Sequence, residues 1–586
     1  MPAPRPGFAA HRWVVRVLLA LAPIWLIGIL DRGLWTPDEP READIAWRMS
    51  QQSDRTLPQL AGVPFLEKPP LSYWLSAATI AAFGDSAGAA RLPNVLYAAI
   101  GALAVFTLAR ALAADAAAAL IAALIAGSAL TAWRVTVWLA PDAALLAAST
   151  LALLGAWIGY RARPGPAKLR GYLLMHLGAA LGFMAKSAPG WLVPGLALAG
   201  IIVWERRFAE LRRWELYAGL GLQALIIGPW LLAVAHGAHG AEALRTLFWN
   251  NVVGRFAHVA APAALDYTSG HHNRPGKYFL ELPLYLLPWT LIVAAALRRA
   301  WTRGRARDEA ASAWRYALAA GVPFLVLLSL AATARDVYAA PALTGFALLA
   351  ALWAHEATPS QDHIDRLALQ GTRALVRTIA WTIAAALLLL GAAGSIAVAT
   401  AIAGALLAVA CAHAACARAA LAERDADVTA SLGWTYTGYV AALCVGCMVA
   451  FPVIDRWQNL PLLAQRIHAD STGRALALLD PDETTIAMLD RSLATPFTVI
   501  SSAEHNPQAA VSLWWQAHPL DGRVLVLLPG HSSGNLTQLL GQLLTLTPAP
   551  DGAAGDIARA GAAVIVERYQ LPQGRRYALL GPPPAH

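Results

Sequence analysis

Residues Val135 to Arg170 read VTVWLAPDAALLAASTLALLGAWIGYRARPGPAKLR, and this stretch decides the class of fold. An acid, Asp142, opens an apolar run that continues to Tyr160, and a basic loop, Arg161–Arg170, closes it. Wound as an α-helix, such a run matches the roughly 30 Å hydrocarbon thickness of a bilayer. Comparable runs recur from Val17 to about Pro452 and then stop. The 586 residues are 58% hydrophobic and 14% charged, with a mean hydropathy of +0.49. A large part of the chain is therefore dissolved in lipid rather than in water.

Alanine, glycine and leucine dominate the runs without two-residue alternation, which favours helices over a lipid-facing barrel. Many of the 22 tryptophans and 14 tyrosines sit near run ends, where a ring keeps one edge among headgroups. Thirteen spans are expected, at about 17–30, 93–109, 116–132, 141–160, 171–186, 189–204, 216–235, 281–297, 316–333, 339–355, 378–395, 398–417 and 431–452. Within the long polar segment 31–91, Leu71–Phe83 is apolar but too short to span and is expected at the interface. The basic stretches at Arg110, Arg161–Arg170, Glu205–Arg213, Arg298–Arg307, Arg366–Arg377 and Arg418–Arg424 all fall on one side of this count. The positive-inside rule makes that side cytoplasmic, together with the N-terminus.

The net charge of +9 is thus explained by topology, and no nucleic-acid partner is expected. Arg5, Arg12 and Arg16 precede the first run, but Asp31-Arg-Gly-Leu-Trp follows it instead of a cleavage site, so the run is expected to be retained. Cys411, Cys416, Cys444 and Cys447 all lie in the last runs, where helix packing is the plainer reading of the C-x-x-C. Beyond Pro452 the pattern changes. Short β-type runs at 476–480, 497–500 and 524–528 alternate with helical segments at 459–468, 506–517 and 535–544. The fold class is therefore a polytopic α-helical membrane protein, residues 1–455, with a soluble C-terminal α/β domain, residues 456–586, for which scaffolding is the expected role.

The chemistry collects in the outward loops. The first loop contains Trp35-Thr-Pro-Asp38-Glu39-Pro40-Arg41-Glu42 and then Phe65-Leu-Glu67-Lys68-Pro69-Pro70-Leu71-Ser72-Tyr73-Trp74. Charges this dense beside a membrane are costly unless they pair or bind something; a solvated turn with a surface ion pair is the alternative. Asp142 stands either as a favourable charge at a helix N-terminus or as part of a site. Lys186, between two apolar runs, opposes the topology unless an anion holds it. Further along come Tyr267-Thr-Ser-Gly-His271-His272-Asn-Arg274 and Thr333-Ala-Arg335-Asp336-Val-Tyr338. His272 could ligate zinc or another divalent cation with Glu67, or could be a hydrogen-bonded histidine; no cofactor is required. Arg41, Lys68, Lys186, Arg274 and Arg335 together suit a phosphorylated substrate whose tail remains in lipid. A transporter would place ionisable groups within spans and show half-chain symmetry, and a pure scaffold would leave the loop clusters unexplained.

The strings Pro37-Asp38-Glu39-Pro40-Arg41, Phe65 to Trp74, Phe83-Gly84, Ala90-Arg91-Leu92-Pro93 and Pro141-Asp142 resemble the aminoarabinose transferase (ArnT) group of the GT-C superfamily, related to protein O-mannosyltransferases. The likeness extends over about residues 15–345. It implies transfer of a sugar, 4-amino-4-deoxy-L-arabinose, from undecaprenyl phosphate to lipid A phosphate at the periplasmic face of a bacterial inner membrane. A protein or another envelope acceptor is the alternative. The resemblance makes Asp38 the catalytic aspartate, places Lys68, Arg335 and Tyr338 near the donor phosphate, and matches Glu67 and His272 to a metal-binding pair. Three departures stand out: Glu42 where Arg-Tyr is usual, Ala185-Lys186-Ser187-Ala188 for Thr-Lys-Gly, and Arg335-Asp336 for a Ser-Lys-type motif. They bear on sugar and acceptor rather than on reaction class.

Overall fold

The computed structural model describes residues 6–583 except 113, 238–239, 251–252, 254–272, 332, 334, 494–495, 503–505 and 529–551. The chain forms two compact units: Met1–Arg32, Met49–Pro58 and Pro64–Phe451 make the first, and Gly33–Arg48, Gln59–Val63 and Pro452–His586 the second.

The first unit is helical and polytopic. Among the described residues, eight helices are long and apolar enough to cross a membrane, or nine if Ala116–Ser128 and Leu130–Val137, bent by 64°, form one span. The thirteen expected spans are not all confirmed by that measure. Pro189–Glu205 has only 17 residues; Pro166–Lys186 carries Lys168, Arg170 and Lys186; the run at 281–297 is divided between helices Lys277–Tyr285 and Thr290–Arg303. The first helix is Pro6–Leu26 and includes Arg12 and Arg16. Leu71–Phe83 is a helix of 13 residues, as its short apolar run predicts.

Small residues set the packing that matters for the site. Helices Asp142–Arg161 and Pro166–Lys186 form an antiparallel hairpin. A Cβ on Gly155 would lie 2.2 Å from the Met175 backbone nitrogen, and one on Gly171 would lie 2.3 Å from that of Gly159. In lipid, where apolar side chains gain nothing from leaving water, such close backbone approach is a main source of helix association. The chain reverses again at Ser187 into Pro189–Glu205. This down-and-back path brings the start of one helix, Asp142, to the end of the next, Lys186.

The short strands β1 (Gln59–Leu60) and β2 (Val63–Pro64) pair with each other, and the second unit contains a five-stranded sheet in the order β4-β3-β5-β7-β6, built from β3 (Ala475–Leu479), β4 (Phe497–Ile500), β5 (Gly522–Leu527), β6 (Val564–Gln570) and β7 (Arg576–Gly581). The first three strands are parallel, whereas β7 runs antiparallel to β5 and β6. Successive residues of a strand face opposite sides. Accordingly Leu476 and Leu478 enter one core with Leu463 and Ile467, while Ala477 and Leu479 enter another with Val511 and Ile557. Both faces are covered, so the strands read as continuous apolar runs. The pair β6 and β7 was not anticipated, because β6 is an edge strand with exposed Glu567 and Arg568 interrupting its apolar pattern. The segment 535–544, expected as a helix, lies outside the described residues.

Candidate functional site

Two reversals of the chain build the cavity of the first unit. Asp142 occupies the first turn of its helix, and its carboxylate accepts from Lys186 Nζ at 2.5 Å. The lysine that seemed to oppose the topology is therefore held by an anion, and both groups are buried. Lys186 Nζ also lies 4.6 Å from the centroid of the Tyr338 ring, over its electron-rich face. Tyr338 is carried by the short 3-10 helix Asp336–Ala339. Ser187, directly after the lysine, has φ 61° and ψ −137°, a region that suits glycine and costs other residues strain.

Lys68 stands on the same cavity, buried, with Glu67 Oε2 3.4 Å from its Nζ. Glu67, Lys68, Asp142, Lys186, Thr333 and Tyr338 make the polar part of the wall; Leu145, Leu192, Phe324, Leu327, Leu328 and Ala331 make the apolar part. The empty space, counted together with the open solvent at its mouth, is about 790 Å³. A cavity polar at one part and aliphatic at the other accepts a ligand of the same kind, a charged headgroup on a hydrocarbon chain.

Asp38 and Arg41 belong to the second unit. Asp38 directly precedes helix Glu39–Gln51, and its carbonyl accepts from the Glu42 amide at 3.1 Å. Glu39 and Glu42 lie in the first turn, where negative charge meets the positive end of the helix dipole. Glu39 Oε2 accepts from the Trp35 amide at 2.9 Å. Arg41 donates through Nη2 to Glu42 at 2.6 Å, through Nη1 to Glu483, and stands 3.4 Å from Asp38 Oδ1. Thus the expected neighbour of Asp38 is present, but that arginine is shared. On the same helix Asp44 is wholly buried. Burial first, and then the negative charge of Asp490 and a hydrogen bond with it, push its carboxyl from an ordinary 3.8 up to about 8; the Ala61 amide and Arg48 act in the opposite sense.

The remaining expected residues are dispersed. Arg335 begins the turn that carries Tyr338, and its carbonyl accepts from the Tyr278 hydroxyl at 3.1 Å. Asp336 pairs with Arg134. Arg274 is exposed, before helix Lys277–Tyr285, and does not line the cavity. His272 lies outside the described residues, and among those described no cluster of three or more potential metal ligands occurs. Arg91, part of the quoted motif, is fully buried and donates to the Arg32 carbonyl at 2.9 Å, which makes it a fastener of the helix 1 terminus. Sequence reasoning missed Glu483 and Asp490, which lie 442 residues from their arginine partners.

Residues 67–232 match the family model described as dolichyl-phosphate-mannose-protein mannosyltransferase. An undecaprenyl phosphate-alpha-4-amino-4-deoxy-L-arabinose arabinosyl transferase of Pseudomonas aeruginosa is 31% identical over 300 residues, 49% of this chain and 51% of that protein. Its counterpart in Yersinia enterocolitica is 30% identical over 362 residues, 61% of this chain and 62% of the relative. The matched stretch thus spans about half to three fifths of the length of these curated relatives. The crystal structure of ArnT from Cupriavidus metallidurans bound to undecaprenyl phosphate superposes with a TM-score of 0.71 at 18% identity, covering 97% of this chain and 98% of that one. The chain is therefore similar in sequence to these arabinosyl transferases and shares the polytopic helical fold of the ArnT crystal structure, that of a multi-pass membrane protein.

Proposed function

We propose, with this kinship as the premise, that the chain transfers 4-amino-4-deoxy-L-arabinose from undecaprenyl phosphate to a lipid A phosphate at the periplasmic face of a bacterial inner membrane. The observation that carries the reading is the cavity of the first unit, where two buried lysines stand beside an aliphatic wall. A polyprenyl phosphate has that duality. In the transfer, the bond from the anomeric carbon to the donor phosphate oxygen breaks, an acceptor oxygen bonds to that carbon, and undecaprenyl phosphate leaves with the electron pair. Cations that bind the departing phosphate more strongly as its charge grows are the main lever on the rate. Lys68 and Lys186 take that role, with Asp142 and Tyr338 on the same cavity wall and Arg335 at the start of the turn that carries Tyr338 as supporting residues. Asp38 is the catalytic carboxylate: for a hydroxyl acceptor it takes the proton, and for a phosphate acceptor it orients or stabilises positive character at the sugar.

In this reading, residues 1–455 form the membrane catalytic domain, the N-terminus is cytoplasmic, and residues 456–586 are periplasmic. A C-terminal alkaline phosphatase fusion is then active and a GFP fusion dark; the reverse pattern moves the proposed site to the wrong side. Mass spectrometry of lipid A from cells with and without the gene tests the acceptor. Loss of a phosphate-linked aminopentose from lipid A supports the reading, whereas unchanged lipid A with loss of a sugar from envelope protein replaces it by the protein-directed alternative.

A further inference from the structure

We infer that helix Glu483–Ser492 of the second unit is a clamp on the loop that carries Asp38, and that Glu483 is a positioning residue for Asp38 through Arg41. The inference rests on the reading of Asp38 as the catalytic carboxylate.

The clamp has a regular geometry. Arg41 pairs with Glu483 and Arg48 with Asp490. Both partners advance by seven residues, about two helical turns, so each helix presents its pair on one face and the two helices engage in the same direction. Between these pairs Asp44, wholly buried, faces Asp490. At the loop end, the Thr484 hydroxyl donates to the Pro37 carbonyl at 2.9 Å, one residue before Asp38. Asp455 accepts from the Gly33 amide at 2.9 Å and the Trp35 indole at 2.7 Å. The segment around Asp38 is therefore fastened to the C-terminal part of the chain at its backbone and on both sides of the carboxylate.

Distances rank the three carboxylates that share Arg41. Glu42 and Glu483 make the short contacts, while Asp38 stands at 3.4 Å. The Asp38 side chain is also more open, 16% exposed against 2% for Glu42. A guanidinium held from two other directions orients Asp38 without closing on it. With Glu483 neutral, Arg41 gains freedom to tighten on Asp38, which lowers the basicity of that carboxylate and misaligns it. The groups that bear on this balance are Asp38, Glu42, Asp44 and Arg48 on or beside the loop helix, and Glu483 and Asp490 on the clamp.

The test compares Glu483→Gln, Asp38→Asn and Tyr569→Phe in the full-length protein, using undecaprenyl-phosphate aminoarabinose as donor. Tyr569 bonds Asp470 at 2.7 Å and serves as a control for loosening the same unit without touching the loop. For Glu483→Gln we expect kcat to fall about tenfold with donor KM within about twofold, and the acid limb of the pH–rate profile to move to lower pH. Tyr569→Phe should lower the melting temperature and leave that limb in place. Wild-type kcat and limb in Glu483→Gln, with Asp38→Asn inactive, overturn the clamp while Asp38 keeps its role. Near-normal turnover in Asp38→Asn removes the premise and the inference with it. Should Glu483→Gln yield no folded protein, Glu483→Asp is measured: a lower kcat at unchanged KM supports the clamp, and wild-type values overturn it.

Discussion

The cavity of the first unit and the loop cluster of the second use the same residue types in opposite proportions. In the cavity, Lys68 and Lys186 pair with Glu67 and Asp142 beside an aliphatic wall. Around Arg41, one guanidinium serves Asp38, Glu42 and Glu483. Carboxylates in excess repel an incoming phosphate, whereas cations beside an apolar wall attract one. Under the proposed function the first region suits anion binding and the second offers an accessible carboxylate, and this contrast can be broken at four points.

The largest effect is expected at Asp38. Asn keeps its shape and one acceptor oxygen but loses the charge, so Asp38→Asn should fold, bind donor and lose turnover by about 10²-fold or more. Donor binding, detergent-extracted yield and turnover on one preparation decide it; equal loss of binding and yield would make Asp38 a support of the loop instead.

Next comes Lys186. Its removal by Lys186→Ala should weaken donor binding at least about tenfold, and should destabilise the protein by about 3–5 kcal/mol because Asp142 remains buried without its cation. Lys186→Ala with Asp142→Ala should restore the melting temperature and not the binding. Recovery of both would reduce the pair to a packing feature. Lys68→Ala should weaken binding with a smaller loss of stability, since Glu67 is the more exposed partner.

A third effect is a pH dependence confined to the loop cluster. Asp44 has its carboxyl raised from 3.8 to about 8 by burial and by Asp490. Between those values the folded protein holds a proton that the unfolded chain releases, so stability falls as pH rises through that window and levels above about 8. Melting temperatures of the wild type and Asp44→Asn from pH 5 to pH 9 should converge at the acid end; parallel curves would place the titrating group elsewhere. The smallest effect belongs to the cavity turn: Ser187→Gly relieves the backbone at φ 61° and should stabilise by about 1 kcal/mol without changing donor affinity.

Much of this was legible in the residues themselves. The short helix Leu71–Phe83, the strands β3, β4 and β5, and the helix that starts at Asp142 all follow from local apolar length and period. The spans at 281–297 and 116–132 were legible as apolar runs but not as broken helices, because the 64° bend of the second depends on packing rather than on composition. The edge strand β6 hid behind exposed charges.

For the site, the amino-acid sequence by itself determined which residues carry charge in loops between apolar runs, and that Lys186 required an anion. It could not determine which anion. Transfer of an apolar segment into lipid is a local property, summed over neighbours in the chain. An ion pair depends on proximity in space and carries no period: Lys186 finds Asp142 across 44 residues through a glycine-packed hairpin, and Arg41 finds Glu483 across 442. Only the tertiary structure decided those partners, and with them which cations line the cavity and which are shared among several carboxylates.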